Sequence, residues 1–162
     1  MGAWGVGSFE NDDAADWVAG LDEISLADLT GILSQAADDP AYLEGPAASV
    51  AVAAGEVIAA LNGAVGEASP AKIGEWAKKH PQVLTPELKD VAIRALERVR
   101  RNSELKDLWM EADGLNDWIA AVRELQGSWE GRASALTSGA AAETRSQTLR
   151  NLCGGCTDAR SA

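Results

Sequence analysis

Residues 46–62 have the sequence PAASVAVAAGEVIAALN, and this stretch decides the fold. Pro46 suits the first turn of a helix, and Gly63 after the stretch is a typical stop signal. The residues between them are almost all apolar or small, and Glu56 is the one charged residue. A helix with this character around its whole circumference is usually buried on all sides. The stretch therefore predicts a central helix. One of its faces consists of Val50, Ala54, Val57, Ile58 and Leu61.

The rest of the chain shows repeated helix signals and no alternating pattern of the kind that predicts a strand. Predicted helices begin near residues 11, 25, 69, 85, 103 and 115. Their expected N-caps, which accept hydrogen bonds from the first helical N–H groups, include Asn11, Ser25, Ser69 and Thr85. We therefore predict an all-α fold, a compact single-domain array of six or seven short helices around the central Ala-rich helix.

The charge is large and unevenly placed along the 162 residues, with a formal net value of -11. Residues 1–71 contain twelve carboxylates and no Lys or Arg, whereas residues 72–162 contain thirteen carboxylates and all fourteen basic residues. This distribution is consistent with basic helices packing beside acidic ones, or with an acidic surface that attracts a basic protein partner. Nucleic acid and anionic membrane surfaces are disfavoured, because both would repel such a chain.

The last part of the chain differs in composition from the rest. After residue 130 it becomes small, polar and glycine-rich, so we predict a helical domain over 1–130 and a loosely attached or disordered tail over 131–162. Trp129 follows the last predicted helix and is expected to be exposed. Because the N-terminus lacks the basic and apolar regions of a signal peptide, we expect a cytoplasmic protein.

Metal and cofactor chemistry find little support in the sequence. His80 is the only histidine, and it lies at a predicted helix C-terminus, where partial positive charge is favourable. Cys153 and Cys156 form a single CGGC pair with no second ligand pair, which favours incidental thiols over a zinc or redox site. We predict no cofactor, no metal site and no catalytic residue.

The N-terminal stretch MGAWGVGSFENDDAADW, residues 1–17, combines glycines, aromatics and carboxylates. It follows no strand and lacks the glycine and lysine pattern of nucleotide-binding loops. Asp12, Asp13 and Asp16 are predicted to favour the positive end of the first helix, with a hard-cation site as the alternative. Trp4 is expected to turn inward, and the glycines are expected to allow close backbone approach.

Glu56 is the most informative candidate, because a charge in a central helix must be hydrogen-bonded. We expect its carboxylate to anchor the N-terminal segment by accepting from the N–H groups near Gly5 and Gly7 and from the Trp4 indole. The alternatives are a general acid or base, or a solvent-exposed glutamate. The candidate binding site comprises Trp4, Gly5, Gly7, Asn11, Asp12, Asp13, Asp16 and Glu56.

Three stretches carry a resemblance to a known family: MGAWGVGSFENDDAADW at 1–17, YLEGPAASVAVAAGEVIAAL at 42–61 and SELKDLWMEADGLNDW at 103–118. Over about residues 1–127 the chain resembles the bacterial family catalogued as domain of unknown function 4259. The resemblance implies a shared helical fold. It implies no activity, substrate or catalytic residue, because that family has no established function.

Two classes of function are consistent with these observations. The first is a small acidic, non-catalytic protein-binding or regulatory module with a basic partner, by analogy an immunity- or antitoxin-like protein. The second is a carboxylate-based enzyme, with or without a divalent metal. We favour the first, because the sequence offers no nucleophile–base pairing and no ligand set. A cleft that brings Glu56 within metal-ligand distance of Asp12 or Asp16 would favour the enzyme, and a continuous acidic surface with no polar pocket would favour the binding module.

Overall fold

The computed structural model describes residues 5–81 and 84–129. This part of the chain forms seven α-helices and one 3₁₀ turn, Leu21–Glu23. The helices are α1 (Asp12–Ala19), α2 (Leu26–Asp38), α3 (Gly45–Leu61), α4 (Ala71–Lys79), α5 (Pro86–Arg101), α6 (Glu104–Glu111) and α7 (Leu115–Gly127). The all-α prediction is therefore confirmed. The predicted tail, residues 131–162, and its CGGC pair lie outside the described residues.

Helix α3 is the centre of the array and contacts each of the six other helices. Between Ala48 and Ala60 every residue is buried except Val50 and Glu56. Small side chains make this possible, because they let neighbouring helices approach α3 closely on several sides. The central position predicted from residues 46–62 is confirmed, and the helix starts one residue earlier than predicted, at Gly45.

The helix starts show which sequence signals were decisive. Asn11 accepts from the Ala14 N–H, and the capping box at Ser25 is complete. Thr85 likewise caps its helix. The prediction for Ser69 was wrong, because α4 starts after Pro70 and the Ser69 hydroxyl bonds elsewhere. A proline at the helix start supplies no N–H, so one fewer donor at this end needs a cap.

The C-terminal side of the core contains the clearest departure from expectation. Trp129 is only 1% exposed, so the prediction of an exposed ring was wrong. A Cβ added at Gly55 would lie 3.4 Å from the Trp129 ring and 3.3 Å from Leu96 and Leu125. The ring therefore fills space that a glycine on α3 leaves open, and its large apolar area favours burial at this position.

Ion pairs join the acidic first half of the chain to the basic second half. Asp22 lies 3.0 Å from the Lys72 ammonium and 3.1 Å from that of Lys79, and Asp38 pairs with Arg94. These contacts are the mixed-sign packing that the charge distribution predicts. All of these partners are partly exposed, so each pair contributes little to the free energy of unfolding.

Candidate functional site

The carboxylate of Glu56 links two loops to the central helix. The Ser8 hydroxyl donates to Oε1 at 2.7 Å, and the Ser69 hydroxyl donates to Oε2 at 3.3 Å. Ser8 belongs to the segment before α1, and Ser69 belongs to the connection between α3 and α4. The half-buried Glu56 thus satisfies its charge with hydroxyl donors from positions 48 residues before it and 13 residues after it.

The predicted anchor on the N-terminal segment exists, but its donor differs from the one expected. The Gly7 N–H donates to the Glu10 carboxylate at 2.8 Å instead of to Glu56. A Cβ at Gly5 would lie 2.0 Å from a Glu10 carboxylate oxygen, and one at Gly7 would lie 2.8 Å from it. The glycines therefore allow close approach, as predicted, but to Glu10. Trp4 lies outside the described residues.

A cleft of about 660 Å³ opens beside Glu56. It lies between the N-terminal segment, α3, the connection that follows α3, and α7. Apolar groups form part of its surface, among them Phe9, Val65 and Leu125. Its charged lining is acidic throughout, since none of the described residues that line it is basic. The four carboxylates are Glu10, Glu56, Glu67 and Glu124.

The remaining candidates near the start of α1 do not join this cleft. Asn11 caps the helix, Asp12 and Asp13 occupy its first turn, and none of them lines the cleft around Glu56. Asp16 lies on the exposed side of α1. The structure therefore places Glu56 apart from the three aspartates of α1 that were the alternative cation site. In the described part of the chain, no three His, Cys, Asp or Glu side chains group as metal ligands.

Sequence reasoning missed six polar residues of the cleft: Ser8, Glu10, Glu67, Ser69, Glu124 and Ser128. The one usable signal was Glu56 itself, because a lone charge in a buried helix requires partners. Serines and glutamates in loops are common, and their spacing along the chain carries no information about which of them meet. Their convergence depends on how α3, α4 and α7 pack.

A second polar contact joins the connection before α3 to α6. The Tyr42 hydroxyl donates to the Asp107 carboxylate at 2.6 Å, and Lys106 contacts the same carboxylate at 2.8 Å. The hydrogen bond to Asp107 raises the pKa of Tyr42 to about 12, so the phenol is protonated at neutral pH. The Lys106 ammonium, followed by Tyr42, lowers the pKa of Asp107. This arrangement fastens the connection before α3 to α6.

Fold and site together define an all-α domain with an acidic cleft beside its central helix. A family model described as Domain of unknown function (DUF4259) matches residues 2–121, so the chain belongs to that family. The match covers α1 to α6 and the first half of α7. Comparisons with curated proteins and with solved structures found no match. In the described ranges, no helix combines the length and apolar character that crossing a membrane requires.

Proposed function

We propose that this protein is a small cytoplasmic, non-catalytic binding module that takes a basic segment of a partner protein into the cleft around Glu56. The observation that supports the proposal is the composition of that cleft, in which four carboxylates and no described basic residue surround a partly apolar surface. Lys and Arg side chains match this surface, because their stems are apolar and their heads are cationic. A role like that of an immunity protein or antitoxin, in which binding blocks the partner, fits such a module.

The size of the cleft suits this occupant. Its volume of about 660 Å³ falls within the range of about 300–1,000 Å³ that is typical of ligand pockets. The surplus of acidic residues along the first half of the chain would add long-range attraction to a basic partner. Attraction of this kind raises the association rate and weakens as salt is added, because exposed charges are screened.

A peptide titration tests the proposal. A Lys/Arg-rich peptide should bind the protein at low salt and bind more weakly at high salt, whereas a Glu-rich peptide of equal length should not bind. The Glu124→Gln variant should weaken binding, because Glu124 lines the cleft and is exposed. Asp16→Asn is the matched control, since it removes the same charge from outside the cleft. Equal weakening by both variants would show that the overall negative charge attracts the peptide. That result would contradict binding in the cleft.

A carboxylate-based enzyme that uses a divalent metal is the alternative. It is less well supported, because Glu56 contacts Ser8 and Ser69 rather than Asp12 or Asp16. A thermal unfolding series with Mg²⁺ and Mn²⁺ separates the two functions. A rise in Tm with either metal that EDTA reverses and that Glu56→Gln abolishes would favour the enzyme. An unchanged Tm together with peptide binding would favour the binding module.

A further inference from the structure

Residues 5–10, which we call the strap, separate two spaces beside the central helix. Gly7 and Ser8 of the strap line the acidic cleft around Glu56, and both also line a second, smaller cavity. The walls of this cavity come from the strap and the residue after it, from α3, from α6 and from α7. The same short stretch of chain therefore forms a wall of both spaces.

The cavity and the cleft follow one another along the same faces of two helices. Their lining residues include Ser49, Val52, Glu56 and Ala59 on α3, and Trp118, Ala121, Leu125 and Ser128 on α7. In both series the intervals are three, four and three residues, which keeps the side chains on one face of a helix. Because α3 and α7 pack together, the two spaces lie end to end along a groove about 15 Å long. The strap crosses this groove.

Few contacts hold the strap in this position. Among the described residues, its one hydrogen bond to another element is the bond from the Ser8 hydroxyl to Glu56. Its other hydrogen bonds are internal, from the Gly7 N–H to the Glu10 carboxylate and from the Glu10 N–H to the Gly7 carbonyl. None of its six residues is buried, although Phe9 packs against the core. A segment with so few buried contacts opens at a low cost in free energy.

Ser49 is a polar group under the strap that has hydrogen-bonding capacity left. It is only 3% exposed, it lines the cavity, and it makes no hydrogen bond within the described ranges. Burying a hydroxyl without a partner costs free energy, which a polar group of a ligand would recover. The cavity has a volume of about 10 Å³, which is about the space that one water molecule needs. A larger ligand therefore reaches Ser49 only if the strap moves.

We infer that the basic segment of the partner displaces the strap, which opens the cleft and the cavity into one groove along α3 and α7. A Lys or Arg side chain of the partner replaces the Ser8 hydroxyl at Glu56, and the residues next to it lie between Glu56 and Ser49. Charge complementarity favours this occupant, because the described lining of both spaces contains four carboxylates and no basic residue. The inference rests on the function proposed for the cleft, and it adds that binding is coupled to release of the strap.

A nitroxide spin label on the strap of the full chain tests the displacement. Val6→Cys provides the attachment point, because Val6 is 38% exposed and lines neither space, and Cys153→Ser with Cys156→Ser removes the native thiols. Adding the Lys/Arg-rich peptide should narrow the spectral lines of the label, because a released strap moves faster. A label at Leu108→Cys, 41% exposed and outside both spaces, is the matched control and should not respond. Lines that stay unchanged or broaden while the peptide binds would overturn the inference and leave the proposed function intact.

Two serine variants test the coupling through peptide affinity. Ser8→Ala removes the bond between the strap and Glu56, and Ser69→Ala removes the other hydroxyl from the same carboxylate without changing the strap. Ser8→Ala should tighten peptide binding about threefold or more, because closure of the strap then competes less with the peptide. Ser69→Ala should change the affinity less.

The outcomes of this comparison separate the two proposals. Binding by Ser8→Ala alone would support the inference, because the strap would then block the groove of the wild type. Equal tightening by both variants would show that loss of a donor to Glu56, rather than release of the strap, improves binding, and would overturn the inference. No binding by wild type or either variant would reject the proposed function and this inference with it.

Discussion

Gly55 and Glu56 are consecutive residues of α3, yet they lie in opposite kinds of environment. Gly55 is buried, and a Cβ there would lie 3.3–3.4 Å from Leu96, Leu125 and Trp129. Glu56 is half-buried at the edge of an open cleft, with hydroxyl groups on both carboxylate oxygens. Consecutive helical residues point about 100° apart, so one step along the chain passes from close apolar packing to the polar site.

The two positions show that the contacts that hold α3 in place differ from the contacts that a ligand of the cleft could replace. Apolar packing at Gly55 depends on shape and tolerates little added volume. The contacts at Glu56 depend on charge and on loops that a ligand could displace. Changes at or around Gly55 should therefore act mainly on stability, and changes around Glu56 should act on stability less and on binding more.

The largest effect is expected from Trp129→Ala, which removes the ring that packs against Gly55. Loss of a fully buried aromatic side chain typically costs about 3–5 kcal/mol. Guanidinium chloride unfolding should show a loss of this size in the free energy of unfolding. Met110→Ala is the control, because Met110 is 53% exposed and should change the value by less than about 0.5 kcal/mol. A Trp129→Ala variant as stable as this control would contradict the buried position of the ring.

Gly55→Val tests the same packing from the α3 side. The added methyl groups would meet three large side chains, and overpacking of this kind typically costs about 1–3 kcal/mol. Gly31→Val is matched to it, since Gly31 also lies within a helix but has no neighbour within 4 Å of an added Cβ. Urea unfolding should rank Gly55→Val well below wild type and Gly31→Val level with wild type or above it. The reverse ranking would contradict close packing around Gly55.

Glu56→Gln tests the polar side of the comparison. The amide keeps the shape but loses the charge that both hydroxyl bonds use, so we expect a loss of about 1 kcal/mol in the free energy of unfolding. Glu67→Gln removes a charge from the same cleft, where the described structure gives Glu67 no hydrogen bond, and should be nearly neutral. Hydrogen exchange should also quicken in residues 5–11 of Glu56→Gln. An unchanged Tm and unchanged exchange would show that Glu56 does not anchor the segment.

Much of the fold could be predicted because its signals are local. Small and apolar residues around the whole circumference of residues 46–62 are enough to place α3 at the centre. Capping residues such as Asn11 and Ser25 act on N–H groups within three positions of themselves, so the sequence alone identifies the helix starts. The same reasoning failed at Ser69, where a tertiary partner, Glu56, takes the hydroxyl.

The candidate site was predictable only in its centre. A charge within a buried helix needs partners, which identified Glu56, but the need does not name them. Ser8 and Glu124 reach the cleft because α1 and α7 both pack on α3, and that packing depends on shapes that side-chain spacing does not encode. Trp129 illustrates the same limit, because its burial depends on Gly55, which lies far away in sequence.

The smallest effect is expected at Asp22, a carboxylate that is exposed where Glu56 is half-buried. Hydrogen bonds from Lys72 and then Lys79 lower the pKa of Asp22. A lowered pKa in the folded state stabilises the protein above the unfolded value of about 3.9, and this stabilisation is lost as pH falls through the folded value. The Tm of wild type should therefore exceed that of Asp22→Asn slightly at pH 7, and the difference should shrink as pH falls below the unfolded pKa and vanish once pH is below the lowered folded pKa. Added salt at pH 7 should also reduce this Tm difference, because exposed ion pairs are screened.

Asp16→Asn is the control for Asp22→Asn, because it breaks no described ion pair. Its Tm difference from wild type should not disappear in acid. A parallel loss in both variants would show that net charge, rather than the contacts of Asp22, governs the acid response.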